Sequence, residues 1–271
     1  IDALDLVYIH FSPWQIDWNE DKLLNEYCNT YGKKRNVVLL SHFLMKKYAV
    51  EQGFDSYICK DNDIFEFVYA IKRELPATKF IYLHRDPRDV ALSQYERTLQ
   101  TYSLARITAL WRYEQIRCIK FYNSNPEIVY KLSYEELISD EEKVVSSICQ
   151  FLSVEFLSNL SEVEVFHGQS KEWSNLSKPV LRNNSKKYLG KFSRKKIQFI
   201  EYRLSKQMIY LDYDFDYPLV SYSRAYLVWD LFASCLISFF SRLKQEKGDE
   251  WSKERSKVLK RLSIQWRNPY L

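Results

Sequence analysis

The chain has 271 residues, enough for one large α/β domain or a domain with an appended segment, since single domains extend to roughly 250 residues. A hydrophobic content of 46% is ample for a buried core, whereas only 5 glycines leave little room for glycine-rich loops. The net charge of +5 suits an anionic ligand but is too small for a nucleic-acid-binding protein. Five scattered cysteines with no C-x-x-C pair and 4 scattered histidines argue against a metal site or a disulfide framework.

The N-terminal part of the chain is predicted to be mainly helical. Leu4–Phe11 is apolar and is consistent with either a strand or the end of a helix. The spacing of apolar residues predicts helices over 21–31 and 36–48, and Gly32 and Gly53 mark where they end.

A βαβ unit is predicted to follow. Residues 55–63 form a short predicted strand that ends in a polar turn at Lys60, and residues 64–75 repeat apolar side chains at helical spacing. Residues 80–83 are apolar and are predicted to form a buried strand. A strand, a helix and a second strand in this order imply a parallel sheet with a right-handed crossover. Ligands of such sheets bind at the carboxyl ends of the strands, where Lys60 and Arg85 are predicted to lie.

The run 79–95, KFIYLHRDPRDVALSQY, is the most informative part of the chain. Its strand breaks before Pro87, and a helix is predicted from about Asp89, which can cap it. Arg85 at the strand end and Ser93 on the first turns of the helix can together bind a phosphate beside the helix N-terminus. The alternative is a surface turn whose arginines pair with the neighbouring aspartates.

The second half of the predicted domain continues the alternation of helices and strands. A helix is predicted over 105–122, and a third buried strand over 128–132 runs into Tyr134. Asp140 is predicted to cap the next helix, and Ser193 to begin another after a long polar stretch.

The last part of the chain is predicted to be a helical extension. Tyr226–Phe240 is strongly apolar, but its fifteen residues are fewer than the roughly twenty that span a bilayer. We expect helices that pack on the domain, with a membrane-surface contact or a homo-oligomeric contact as the alternatives. The predicted organisation is an α/β domain over 1–217 and a helical extension over 218–271.

Four segments resemble, in the same order, those of the PAPS-dependent sulfotransferase family (PAPS is 3′-phosphoadenosine 5′-phosphosulfate). They are ICKDND from Ile58, IYLHRDPRDVALSQY from Ile81, SYEEL from Ser133 and NNSKKYLGK from Asn183. The resemblance covers roughly 58–213. It implies an α/β fold with a central parallel sheet flanked by helices, similar to that of P-loop NTPases, and a sulfuryl transfer that requires no metal.

The resemblance also implies which residues bind the nucleotide. Arg85 and Ser93 match the residues that bind the 3′-phosphate, and Tyr134 matches the tyrosine that contacts the adenine. Lys186 and Lys187 lie in the segment that resembles the family's late basic loop, which adds positive charge at the 3′-phosphate. PAPS is then the sulfuryl donor, and adenosine 3′,5′-bisphosphate (PAP) is the product.

The catalytic residues match the family only in part. Lys60 corresponds to the lysine that stabilises negative charge on the bridging oxygen as the sulfuryl group leaves. Asp61 and Asn62 stand where family members place a threonine and the catalytic histidine. The general base is therefore left open among Asp61, Asp63, His42 and a carboxylate nearer the N-terminus.

One motif of the family has no counterpart in this sequence. No stretch matches the phosphate loop, P-[KR]-S-G-T-[ST], and we expect that loop to lie N-terminal to Ile1. The alternative is a relative that keeps the fold but binds or scaffolds without transfer. As an enzyme, the chain is expected to sulfate a hydroxyl or amine of a small molecule, with a glycan second and a protein tyrosine third. Without a signal peptide or a spanning segment in the sequence, we expect it in the cytoplasm.

Overall fold

The computed structural model of the chain describes residues 18–34, 36–96, 103–157 and 184–223, together with helical positions 225, 226, 229 and 232. The predicted element at Leu4–Phe11 and most of the predicted extension lie outside the described residues. The chain divides into two compact units, Ile1–Thr78 and Lys79–Tyr270. The domain limits at 217 and 218 stay a prediction.

The first unit is helical in its described residues. Its elements are α1 (Glu20–Tyr31), α2 (Val37–Glu51), a 3₁₀ turn at Ile64–Glu66 and α3 (Val68–Glu74). The helices predicted over 21–31 and 36–48 are therefore confirmed, and the helix predicted over 64–75 is confirmed with a break near its start.

Asparagine side chains begin α1 and α2. Asn19 accepts a hydrogen bond from the N–H of Lys22 at 2.9 Å, and Asn36 accepts from the N–H of Val38 at 2.9 Å. The apolar faces of the two helices then meet in a small core. Its buried members are Leu23, Tyr27, Leu39, Leu40 and Leu44.

The strand predicted over 55–63 is wrong. These residues form an irregular segment and a turn, and they pair with no strand in the described part of the chain. A strand needs a partner for its backbone N–H and C=O groups, and a local apolar pattern cannot show whether one exists. Lys60 therefore lies in a loop and not at the end of a strand.

The second unit combines a parallel sheet with helices. Its elements are β1 (Phe80–His84), α4 (Pro87–Tyr95), α5 (Leu104–Ser124), β2 (Val129–Ser133), α6 (Tyr134–Ser139), α7 (Glu141–Leu152) and α8 (Arg194–Tyr210). Short 3₁₀ turns lie at Pro126–Ile128 and Lys187–Gly190. The α/β class is confirmed, and the described sheet has two strands, β1 and β2.

The register of the sheet decides what lies at its carboxyl edge. The strands β1 and β2 are parallel, and His84 pairs with Ser133 at their last positions. The next residue of each strand is therefore at the same edge, so Arg85 and Tyr134 become neighbours although 49 positions separate them in the chain.

The core of this unit lies where α5 and α8 pack against each other. Its fully buried apolar side chains include Ile107, Ile197, Ile200, Leu204 and Met208. Among the helices in the described ranges, none combines the length and the apolar character that a membrane crossing requires.

Candidate functional site

Arg85 and Tyr134 form a direct contact at the carboxyl edge of the sheet. The guanidinium carbon of Arg85 lies over the Tyr134 ring, 4.4 Å from its centre. Tyr134 is the first residue of α6, which begins with a capping box. In this box Ser133 accepts from the N–H of Glu136, and the Glu136 carboxylate accepts from the N–H of Ser133. The box fixes where the tyrosine leaves the strand.

Asn184 contacts both members of this pair. Its backbone carbonyl accepts a hydrogen bond from Arg85 Nη2 at 2.6 Å, and its side-chain Nδ2 donates to the Tyr134 hydroxyl at 2.7 Å. From the sequence, the segment that begins at Asn183 was selected for its lysines, and Asn184 was given no role. The hydrogen bond between Arg85 and Asn184 joins residues 99 positions apart, so neither local sequence indicates it.

Asp89 joins the same cluster from α4. Its carboxylate accepts from the backbone N–H of Lys186 at 2.7 Å and from that of Tyr188 at 3.2 Å, and it lies 4.0 Å from Arg85 Nη2. Burial raises the pKa of the Asp89 carboxyl, and the positive charge of Arg85 opposes that rise. The cluster thus brings together the predicted residues Arg85 and Tyr134 and the backbone of Lys186.

The remaining donor capacity of Arg85 fits an anion. Its Nε is buried and has no hydrogen-bond partner among the described residues. Its side chain is nevertheless 25% exposed, and the Asp89 carboxylate lies 4.0 Å from it, at the outer limit of an ion pair. A planar cation with an unused donor and an exposed edge suits a phosphate group. The cluster can therefore present a positive charge to an anionic group.

The other predicted phosphate ligands are at the surface. Ser93 is exposed and lies one helical turn after Asp89 on α4, so the two share a face of the helix. Lys186 and Lys187 are also exposed, and Lys186 has a left-handed backbone with φ of 55°. The side chains of these three residues are open to solvent.

The start of α4 differs from the prediction. The cap is Asp86 and not Asp89, because Asp86 accepts from the N–H of Arg88 at 2.8 Å and Pro87 occupies the first helical position. One N–H at the start of the helix is therefore already used by Asp86 and is not free for a ligand.

Arg88 has a structural role. Its guanidinium is 4% exposed and lies 2.7 Å from Asp86, 2.7 Å from Glu201 and 2.9 Å from Asp216. It also lies over the Tyr188 ring at 4.6 Å. The pairing of an arginine with a neighbouring aspartate, which the alternative predicted, thus holds for Arg88 and Asp86, but both residues are buried and not in a surface turn.

A second chain of hydrogen bonds supports the same edge. Tyr213 donates its hydroxyl proton to Glu135 at 3.0 Å, and Glu135 also accepts from the N–H of Asp86 at 3.1 Å. His84 Nδ1 lies 2.8 Å from the Tyr213 hydroxyl. With the Tyr213 proton donated to Glu135, the Tyr213 oxygen accepts from His84, which corresponds to the tautomer that carries its proton on Nδ1.

The predicted catalytic residues lie in the first unit. Lys60 is exposed and donates to the side-chain oxygen of Asn62 at 2.9 Å. Asp63 is exposed, and its backbone N–H donates to the Asp61 carboxylate at 2.7 Å. These residues belong to one polar turn, which offers a cation and two carboxylates.

His42 is connected to the same segment through Tyr57. Its Nδ1 lies 2.7 Å from the hydroxyl of Tyr57. Tyr57 precedes Lys60 by three positions in the chain. Burial, and after it the charge of Lys46, lowers the pKa of His42, and burial raises the pKa of Tyr57 to about 12. A neutral imidazole of this kind can accept a proton at neutral pH.

No group of three or more potential metal ligands is found within the described ranges.

Comparison with known protein families identifies one family whose model matches this chain. The family model described as "Sulfotransferase family" matches residues 17–158, slightly more than half of the chain. Among solved structures, the chain is similar to the "Sulfotransferase Domain from the Curacin Biosynthetic Pathway", with 16% identity, a TM-score of 0.48, and coverage of 71% of this chain and 78% of that one. No curated protein sequence matches the chain.

Proposed function

This chain belongs to the sulfotransferase family, and from that membership we propose that it transfers a sulfuryl group from PAPS to a hydroxyl or amine of a small molecule. PAPS supplies the activated sulfuryl group, and PAP remains as product. A glycan is the second acceptor class that we propose, and a protein tyrosine the third. The cytoplasm stays the expected location, and a homo-oligomer through the C-terminal helices stays open.

The observation that carries this proposal is the contact between Arg85 and Tyr134 at 4.4 Å. The arginine has an unused buried donor and an exposed edge for the 3′-phosphate. The tyrosine adds an aromatic surface for the adenine. We propose that Ser93, Lys186 and Lys187 complete the nucleotide site from their exposed positions.

Lys60, Asp63 and His42 are our proposed residues for the transfer itself. The Lys60 ammonium would stabilise the charge that develops on the leaving phosphate oxygen. Asp63 and His42 are the two candidates for the base that takes the acceptor's proton. The lowered pKa of His42 favours its neutral, proton-accepting form.

PAP binding tests the nucleotide assignment directly. We expect isothermal titration calorimetry to detect PAP binding by the full chain, and Arg85→Ala to weaken it about tenfold to a hundredfold, since a hydrogen bond to a charged group contributes about 1.5–3 kcal/mol. Arg194→Ala is the matched control, because Arg194 also lies over a tyrosine, 5.0 Å from the Tyr217 ring, and is exposed on α8. Equal PAP affinity of wild type and Arg85→Ala would contradict the assignment.

Turnover tests the transfer. Radiolabelled PAPS is incubated with small phenols, alcohols and amines, with oligosaccharides and with a tyrosine peptide. Lys60→Met should lower kcat about a hundredfold while leaving PAP affinity unchanged, as expected for a group that acts on the transition state. Lys33→Met, which also removes an exposed lysine from the first unit, is the control.

A binding protein of the same fold is the second candidate. It is favoured by Asp61 and Asn62, which stand where the family's threonine and catalytic histidine are expected. Arg85-dependent PAP binding without sulfation of any acceptor class would support this candidate over the enzyme.

A further inference from the structure

Asp89 is placed to organise the nucleotide site without touching the nucleotide. Its side chain is 1% exposed, and both carboxylate oxygens accept backbone N–H groups, one from Lys186 and one from Tyr188. A buried carboxylate with both oxygens in use is not available to a ligand, and its negative charge would repel a phosphate. Any role in binding must therefore act through the groups that it contacts.

The segment that Asp89 contacts begins with Asn184. That residue accepts from Arg85 Nη2 and donates to the Tyr134 hydroxyl, so it fixes both members of the proposed nucleotide-binding pair. Within the segment, Lys186 has φ of 55°, a left-handed conformation that is strained for a residue other than glycine. The hydrogen bond from the Lys186 N–H to Asp89 helps to keep the segment in this conformation.

A second contact joins the same helix to the same turn, but at the surface. Lys191 lies 3.1 Å from Glu96, and both side chains are at least half exposed. Exposed pairs of this kind contribute little to stability, because water and salt screen both charges. The hydrogen bonds of the buried Asp89 carboxylate are therefore stronger than this exposed ion pair, which joins Glu96, just after α4, to Lys191, just after the turn.

We propose that Asp89 is a positioning residue of the nucleotide site. It holds the Asn184–Tyr188 segment so that Asn184 can fix the Arg85 guanidinium over Tyr134, ready for the 3′-phosphate. This inference rests on the proposed function, because it assumes that Arg85 binds that phosphate.

The test uses Asp89→Asn in the full chain with two ligands that differ by one group, PAP and adenosine 5′-monophosphate. Asparagine keeps the shape of the side chain but has one acceptor oxygen in place of two. We expect PAP affinity to fall about tenfold and adenosine 5′-monophosphate affinity to fall less than about threefold, because only PAP has the 3′-phosphate. Glu96→Gln, which weakens the exposed connection between the same elements, should leave both affinities unchanged.

A double variant distinguishes positioning from general stability. If Asp89 acts through Arg85, Asp89→Asn should weaken PAP binding no further in an Arg85→Ala background. Additive losses, or equal losses for the two ligands, would mean that Asp89 supports the fold alone and would overturn the inference.

Hydrogen exchange of the wild-type chain keeps the test decisive if Asp89→Asn does not fold. PAP should slow amide exchange in the Asn184–Tyr188 segment several-fold more than adenosine 5′-monophosphate does, because the 3′-phosphate engages the Arg85 that Asn184 fixes. Equal protection by the two ligands would overturn the inference. Failure of the wild-type chain to bind PAP at all would instead reject the proposed function, and the inference with it.

Discussion

The guanidinium of Arg85 lies over the ring of Tyr134, with 4.4 Å between the guanidinium carbon and the ring centre. Each residue directly follows the last position of a strand, and the two strands are paired in parallel up to His84 and Ser133. The contact is therefore a consequence of sheet register, and any change that shifts one strand against the other would separate the two side chains.

The first prediction separates the ring of Tyr134 from its hydroxyl. Tyr134→Phe removes the hydroxyl that accepts from Asn184 but keeps the ring beneath Arg85, so PAP affinity should fall about fivefold or less. Tyr134→Leu removes the ring as well, including a cation–π contact of about 0.5–2 kcal/mol, and should cost about tenfold or more. Calorimetric titration with PAP measures both. If the two variants bind PAP equally, the ring has no role in the site.

The second prediction concerns the Lys186 ammonium. Because φ of Lys186 is 55°, Lys186→Gly should preserve the backbone and raise stability by up to about 1 kcal/mol. PAP affinity should nevertheless fall about tenfold through the lost charge, and the difference from wild type should shrink as salt is added. Titrations at two salt concentrations check this result. An unchanged affinity would limit the contribution of Lys186 to its backbone N–H.

The third prediction is that Arg88 determines stability. Arg88→Met leaves three carboxylates, Asp86, Glu201 and Asp216, without the cation that they share. Loss of one partner from a buried ion pair costs about 3–5 kcal/mol, so urea unfolding should show a decrease of that order. Lys191→Met, which removes an exposed pair, should cost less than about 1 kcal/mol. A similar effect of the two variants would show that the Arg88 network is not a major source of stability.

The fourth prediction concerns pH and His84, which is 5% exposed. Burial, and after it the charge of Lys131, lowers the pKa of His84 to about 4. In the unfolded chain the imidazole takes up a proton below about pH 6.5, whereas in the folded chain it does so only near pH 4. The contribution of His84 to stability is therefore complete above pH 6.5 and is lost as the pH falls from 6.5 towards 4, by up to about 3 kcal/mol.

The measurement is urea unfolding between pH 4 and 7 for wild type and His84→Asn. Asparagine places an N–H donor near the position of Nδ1, so it can donate to Tyr213 but cannot titrate. Carboxylates titrate in the same range in both proteins, so the informative quantity is the difference between the two curves. Parallel curves would mean that His84 has an ordinary pKa in the folded chain.

Much of the second unit could be predicted because its signals are local. The apolar runs near 80–83 and 128–132 were sufficient to predict β1 and β2, since β-branched and aromatic residues in succession favour strands. The burial predicted for 80–83 is correct only in part, because Ile81 is 39% and Leu83 50% exposed. The same reasoning was wrong for 55–63, because a strand also needs a partner, and pairing is not encoded in a single segment.

The capping residue of α4 shows a similar limit at shorter range. Asp86 and Asp89 are both suitable caps by residue type, and Pro87 decided between them by occupying the first helical position. Asp89 has a different role: its carboxylate accepts hydrogen bonds from the backbone N–H groups of Lys186 and Tyr188, which are 97 and 99 positions away. Residue type alone could not assign these two roles.

Local patterns and one family resemblance were enough to specify the α/β class, the two paired strands and Arg85 and Tyr134 as candidate ligands of a nucleotide. Only the folded chain decided that these two side chains meet, that Asn184 contacts both, and that Arg88 is buried among carboxylates while Arg85 keeps an exposed edge. The physical reason is that residue identity sets what a side chain can do, whereas its partners, burial and charge environment come from segments far away in the chain that packing brings next to it.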